Sequence, residues 1–204
     1  FWGFHELSGS VITLFAARNV ELSIMSAAQT NSLNSMFIII LAIPISMMWT
    51  WLSKKNLNPR TPYKFGLGLL FAGISFYVLA ISAGSANDSG LVPFVYLLLM
   101  YFLLSVGELF MSPVGLSKMT DLAPMRLIAF IMGVWFLSSA FAFQIVGFIG
   151  KQLAIESTNK NVGGFETLGV YTDGFMLIAK YSLGAGLIIL VASPIIKKLM
   201  GKIH

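Results

Sequence analysis

Six long stretches of this chain contain no charged side chain: residues 7–17, 30–53, 65–87, 89–107, 127–150 and 181–196. An α-helix rises about 1.5 Å per residue, so roughly 20 apolar residues cross a hydrocarbon layer of about 30 Å, and several of these stretches reach that length. A water-soluble globule is excluded. Only 10% of the 204 residues are charged, against roughly a quarter in ordinary domains, while 57% are hydrophobic and the mean hydropathy is +0.85. Disorder fails on the same ground, because disordered chains carry more charge and fewer aromatics. The class that remains is a polytopic membrane protein.

The spacing predicts six transmembrane helices over about 1–17, 28–53, 63–84, 91–118, 126–150 and 174–197, with a polar, glycine-containing outer loop over 151–172. The reading is all-α, since no period-2 alternation is long enough for a membrane barrel. The chain opens inside an apolar aromatic run, Phe1-Trp2-Gly3-Phe4, without an initiator methionine or signal peptide, and so reads as a fragment. Nine of the thirteen cations (Lys54, Lys55, Arg60, Lys64, Lys118, Arg126, Lys197, Lys198 and Lys202) fall on one side of the bundle. The other side holds Arg18, Lys151, Lys160 and Lys180, offset by Glu21, Asp88, Glu156, Glu166 and Asp173. The positive-inside rule then puts both ends of the chain in the cytoplasm, and the basic loops read as lipid-headgroup contacts rather than as a nucleic-acid surface.

Two acids stand inside predicted spans, Glu6 and Glu108. An ionisable group at the centre of a spanning helix costs about 3 kcal/mol on insertion scales, so each is a functional candidate by default. Glu6 shares a helical face with Ser10 and Thr13, and Glu108 with Ser112 and Gly115; both stripes are expected to face an interior cavity. The bland alternative is a static ion pair or a neutral carboxyl, and the sequence supplies no intramembrane cation, Lys180 lying near a helix end where it can snorkel. A glutamate in low dielectric can bind or release a proton as its surroundings change, which suits a proton-coupled carrier. His5 is either a second titrating group or a packed hydrogen-bond donor. Asn31, Asn34 and Ser35 read as helix caps or as ligand contacts, and Trp135 as core filling or a cavity wall. Pro44 is expected to kink its helix, and Gly68 with Ala72 forms a small-residue packing pair.

Enzyme signatures fail. His5-Glu6 begins a zinc-protease pattern, but Gly9 occupies the place of the second histidine, and neither a nucleophile elbow nor a phosphate loop appears. With no cysteine and two histidines, no metal site is expected. Asn87-Asp88-Ser89 matches a glycosylation triplet of the kind common by chance.

Several strings together resemble the second half of the proton-dependent oligopeptide transporter family of the major facilitator superfamily. Gly107-Glu108-Leu109-Phe110-Met111-Ser112-Pro113-Val114-Gly115-Leu116-Ser117 resembles the family's tenth-helix signature. Phe1-Trp2 with Glu6 and Leu14-Phe15-Ala16 is similar to the seventh helix, Ser32-Leu33-Asn34 to the eighth, Thr61-Pro62-Tyr63-Lys64-Phe65-Gly66-Leu67-Gly68 to the opening of the ninth, and Gly133-Val134-Trp135-Phe136-Leu137 to the eleventh. The resemblance covers essentially the whole chain, and implies one six-helix half of a twelve-helix fold whose N-terminal half is absent.

What the resemblance implies is symport of protons with di- and tripeptides bound near the membrane midplane, in an integral protein of the bacterial inner membrane, with no cofactor beyond the proton. Glu108 would pair with a lysine of the first half and receive the peptide amino terminus; Glu6 would serve proton coupling and the outer gate. Asn34 would contact the peptide, with Ser112 beside it and Trp135 in the pocket wall. The chain departs from the family pattern at Leu7, Ser8, Asn31 and Ser35. A related carrier of another small solute, such as an amino acid or anion, and a non-transporting membrane scaffold or sensor are therefore the alternatives.

Overall fold

A computed structural model describes residues 1–152 and 164–199, and the architecture is helical throughout apart from one two-residue parallel ladder. The elements run α1 (Trp2–His5), a 3-10 turn (Glu6–Gly9), α2 (Val11–Asn19), β1 (Val20–Glu21), α3 (Ala27–Thr30), α4 (Ser32–Lys54) and α5 (Thr61–Ile81). They continue through β2 (Val92–Pro93), α6 (Phe94–Leu122), α7 (Ile128–Gln152) and α8 (Gly164–Leu199). Five helical stretches among the described residues are long and apolar enough to cross a membrane: 27–54, 61–85, 94–121, 125–149 and 164–196. A sixth apolar segment, residues 2–19, is broken.

That break corrects the expectation of one continuous helix over 1–17. Ser8, Gly9 and Ser10 are weak helix formers in succession, and the backbone at Ser10 leaves the helical region at φ −128°, ψ −87°. Freed carbonyls need donors where water is scarce. The Ser10 hydroxyl donates to the Leu7 carbonyl at 3.5 Å, and the Thr13 hydroxyl to that of Ser8 at 3.0 Å. Ser10 and Thr13 are thus spent on the backbone, and the polar stripe expected to run on from Glu6 is not continuous.

The sixth span also begins earlier than expected, at Gly164 instead of about 174. Residues 153–163 of the expected outer loop lie outside the described residues; 164–172 are helical. Gly164 approaches so near to Ser89 that a Cβ would overlap the Ser89 carbonyl oxygen, so this glycine marks a contact and not a loop. Facing it, Gly90 adopts φ +74°, a conformation that favours glycine. The Asn87 side-chain oxygen accepts from the amides of Ser89 and Leu91, both at 3.0 Å, which gives Asn87 a role in the turn.

Asn19, fully buried, ties three segments at this end. Its amide nitrogen donates to the Gly90 carbonyl at 3.1 Å, the Gly164 carbonyl at 2.8 Å and the Thr167 hydroxyl at 3.0 Å. Val20 pairs with Val92 alongside, and Arg18 donates to the Tyr171 hydroxyl at 3.2 Å. Beneath the clasp Phe15 meets Tyr171 and Phe175 edge to face, at 5.6 and 5.2 Å between ring centroids. Together with Phe76, Leu97 and Tyr101 these rings form the fully buried core.

Helix α5 is the central spar. Gly68 faces the Gly107 carbonyl and Met111 of α6, while Gly66 and Gly73 face Gly186, Leu190 and Leu183 of α8. Small residues let helix backbones approach without a hydrophobic driving force between them, and the Ser182 hydroxyl bonds the Leu69 carbonyl across the α5–α8 seam at 2.9 Å. Helices α4 and α7, in contrast, leave most of their apolar side chains uncovered by this chain, among them Ile39, Ile43, Met47, Phe130, Phe136 and Phe141. Pro44, Pro113 and Pro194 all sit inside continuous helices.

A Cβ on Gly68 would stand 2.9 Å from the Gly107 carbonyl oxygen, which cannot move without the helix. Gly68→Val in the full-length protein is therefore expected to destabilise by about 1–3 kcal/mol, read as a lower melting temperature in detergent. Gly169→Ala, a site with nothing within 4 Å of a new Cβ, is expected to leave it unchanged or slightly raised.

Candidate functional site

The two acids singled out in the sequence, Glu6 and Glu108, belong to one polar cluster. Glu108 lies halfway along α6, and its Oε2 is 3.0 Å from His5 Nε2 and 3.2 Å from the Asn34 side-chain nitrogen. Asn34, one turn into α4, also donates to the Ser105 hydroxyl at 3.0 Å, and that hydroxyl donates in turn to the Asn34 carbonyl at 3.3 Å. The other face of the imidazole looks to Glu6: Nδ1 to Oε1 is 3.9 Å. Three elements distant in sequence, the 2–9 segment, α4 and α6, thereby converge on one carboxylate.

Local sequence explains each placement. The two-turn spacing of Ser105, Glu108 and Ser112 puts all three on one face of α6. Asn34 is free to reach that face because capping is done upstream: the Ser26 amide and the Gln29 side chain bond at 2.9 Å in a capping box. No cap bond comes from Asn31, the residue that precedes α4. Asn34 does not cap the helix; its side-chain amide is engaged by Ser105 and Glu108. His5 is set by its neighbours, stacking on Phe1 at 5.9 Å and meeting the edge of Trp2 at 5.5 Å.

The cluster is sheltered without being sealed. The side chains of His5 and Glu108 are 14% and 19% exposed, and that of Glu6 is 27% exposed. Chemically, a carboxylate in this position accepts strong hydrogen bonds from a cationic or neutral donor. It also keeps a second oxygen, Oε1, for which no protein donor is recorded among the described residues. Among these residues no group of three or more His, Asp or Glu side chains could hold a metal ion.

Other expected site residues fall further out. Ser112 is half-buried one turn beyond Glu108. Trp135 of α7 lies over Gly115, so closely that a Cβ there would overlap the six-membered ring of the indole. It packs the α6–α7 seam about two turns, roughly 10 Å, along from Glu108, while remaining half-exposed. Lys180 is exposed, as snorkelling requires. Sequence reading missed Ser105, although its position three residues before Glu108 placed it on the same face. It also placed the partner of Glu108 outside this chain, as a lysine of the first half, whereas His5 lies 3.0 Å from the carboxylate within it.

A family model described as the POT family matches residues 1–168. The chain is 33% identical over 204 residues to an uncharacterised transporter, YclF, of Bacillus subtilis, covering 98% of this chain and 38% of that protein. It is 33% identical over 192 residues to dipeptide and tripeptide permease A of Erwinia pyrifoliae, covering 92% of this chain and 38% of the permease. Among solved structures it superposes on a peptide transporter POT in complex with sulfate at TM-score 0.82 and 37% identity, over 97% of this chain and 38% of that one. A POT family transporter in complex with a thioalcohol-conjugated peptide gives 0.78 and 29%, over 95% and 38%. The chain thus spans about two fifths of the length of the relatives it matches.

If Trp135 is held by its fit to Gly115, then Gly115→Ala should destabilise the full-length protein by about 1–3 kcal/mol, and Trp135→Phe in the same protein should recover part of the loss. Melting temperatures of the two single variants and the double variant measure this; strictly additive losses would mean that the ring is not held there.

Proposed function

This chain belongs to the POT family, and from that membership we propose that it forms the C-terminal six-helix half of a major-facilitator symporter carrying di- and tripeptides with protons across the bacterial inner membrane. It is an integral membrane protein of a family of transporters and not of enzymes. Five long apolar helices and the interrupted segment 2–19 supply six spans. The N-terminal half would then cover the apolar faces of α4 and α7. Both chain ends are cytoplasmic in this reading, and the Asn19 clasp lies at the outer end.

The observation that carries the proposal is the Glu108 carboxylate, held inside a spanning helix by the neutral donor Asn34 and by His5. A free carboxylate there is expensive. It is stabilised when a proton, a lysine of the N-terminal half or the α-ammonium of a peptide reaches it, and those three exchange during transport. Asn34, itself held by Ser105, orients the carboxylate, so that an arriving ammonium meets a preorganised acceptor. Ser112 and Trp135 bound the same face further along α6. Glu6, the more exposed acid, is the entry point for the coupling proton, and its ionisation state controls the outer gate.

The alternative of another small solute draws on departures such as Leu7. Leu7 is fully buried in the apolar core, whereas Ser35, the other departure on which that alternative rests, is exposed next to Asn34. The peptide reading is preferred because the relatives matched include a dipeptide and tripeptide permease.

Proton-driven uptake of a labelled dipeptide by the full-length protein in proteoliposomes tests the assignment. Glu108→Gln is expected to lower uptake by at least about 30-fold, the equivalent of ~2 kcal/mol for losing one partner of a buried charged contact; undiminished uptake would sink the role of Glu108. Glu6→Gln is expected to abolish accumulation against a gradient while peptide exchange continues, and a variant that still concentrates peptide would remove Glu6 from coupling.

A further inference from the structure

His5 stands between the two acids with one ring nitrogen turned to each. Nε2 lies 3.0 Å from Glu108 Oε2, while Nδ1 faces Glu6 Oε1 at 3.9 Å and is buried without a hydrogen-bond partner among the described residues. A buried ring nitrogen without a partner is unusual, because a lost hydrogen bond is expensive there. A histidine serving only to hold Glu108 would be expected to satisfy its second nitrogen with a backbone carbonyl.

We propose that His5 relays protons between Glu6 and Glu108. The inference rests on the reading of these acids as transport carboxylates. A neutral imidazole donating from Nε2 to Glu108 keeps its lone pair on Nδ1, on the side of Glu6. A proton passing from the Glu6 carboxylic acid to Nδ1 leaves Glu6 ionised and creates an imidazolium between two carboxylates. The Nε2 proton then moves to Glu108 Oε2. One proton has travelled from Glu6 to Glu108, and the imidazole is neutral with its hydrogen on Nδ1. Release of the Nδ1 proton to water and uptake of another from water on Nε2, at a side chain that is 14% exposed, restore the first tautomer with the net transfer kept.

The gap of 3.9 Å closes to hydrogen-bond distance with a displacement of about 1 Å. Glu6 opens the 3-10 turn, and Ser10 behind it is already non-helical; such interruptions are where a helix can shift. The charged groups acting on His5 are Glu6 from its own segment and Glu108 from α6. Helix α4 presents the neutral Asn34 amide to the same carboxylate, and α7 packs on the segment through Ile145 against Gly3. Each passage needs a proton on Glu6 and a free lone pair on Nδ1, so the relay makes driven uptake depend on external pH.

His5→Gln separates a relay from a strut, since glutamine can donate to Glu108 but cannot titrate. In proteoliposomes of the full-length protein, labelled dialanine uptake is measured with an inward proton gradient at external pH 5.5 to 7.5 (about two decades of proton activity), and as counterflow at equal pH on both sides. Because His5 also holds Glu108, counterflow by the variant is the reference against which the loss of its driven uptake is measured. Driven accumulation should fall by about 100-fold, the low end for loss of a positioned proton-transfer group, with a flat pH profile. Wild-type driven uptake and pH dependence in the variant would overturn the relay, as would an equal loss of both activities, which would mean that only the hydrogen-bond geometry matters. A wild-type protein with neither activity removes the peptide reading and the relay with it. A measurement that needs no variant is uptake in heavy water: driven uptake slowed more than counterflow is expected, and equal slowing overturns the proposal.

Discussion

A chain immersed in hydrocarbon has no solvent with which to complete its hydrogen bonds, and this constraint reaches every part of the molecule. Where the first segment leaves the helical path, the hydroxyls of Ser10 and Thr13 supply donors to freed carbonyls. Where three segments meet, a single buried amide serves Gly90, Gly164 and Thr167 together. Ser75 and Thr172 turn back on carbonyls three or four residues earlier in their own helices, and Ser82, just past the end of α5, on that of Leu79. Against this frugality the cluster at Glu108 stands out, because it assembles a carboxylate, an imidazole, an amide and a hydroxyl where most of the bundle is apolar.

Packing follows from the same medium. Lipid tails are as apolar as leucine, so close backbone approach rather than expulsion from water holds the helices together. The glycines of α5 meet α6 on one side and α8 on the other, and the three helices form a compact unit. Helix α6 is consequently fixed by one face, and the face bearing Ser105, Glu108 and Ser112 is left toward α4 and the first segment. The stiff unit thus carries the carboxylate, and the interrupted segment carries its partner.

Much of this was legible in the residues. Uncharged runs located the long helices to within a few positions, because charge is strongly disfavoured at the centre of a span. Glu6 and Glu108 were visible for the same reason. The α8 start was not, since Gly163, Gly164 and Gly169 read locally as loop, whereas Gly164 is required by contact with Ser89 and Gly90, a relation between segments far apart in sequence. The interruption near Ser10 lay hidden inside an apolar pattern that hydropathy alone reads as continuous. His5 was legible as a titrating group or hydrogen-bond donor beside Glu6; that its ring spans to α6 depends on the fold bringing residues 5 and 108 together.

The clasp at Asn19 has a mechanical side. It gathers the end of α2, the turn before α6 and the start of α8 into one joint. A 29-residue helix such as α6 is about 43 Å long at 1.5 Å per residue. Packed along α5, it turns only with the three-helix unit: a rotation of that unit about the joint by roughly 5° would hardly stir the clasp but would sweep the far tip of α6 through about 4 Å by the same geometry. The rivet therefore decides which end of the bundle stays still and which end has room to swing.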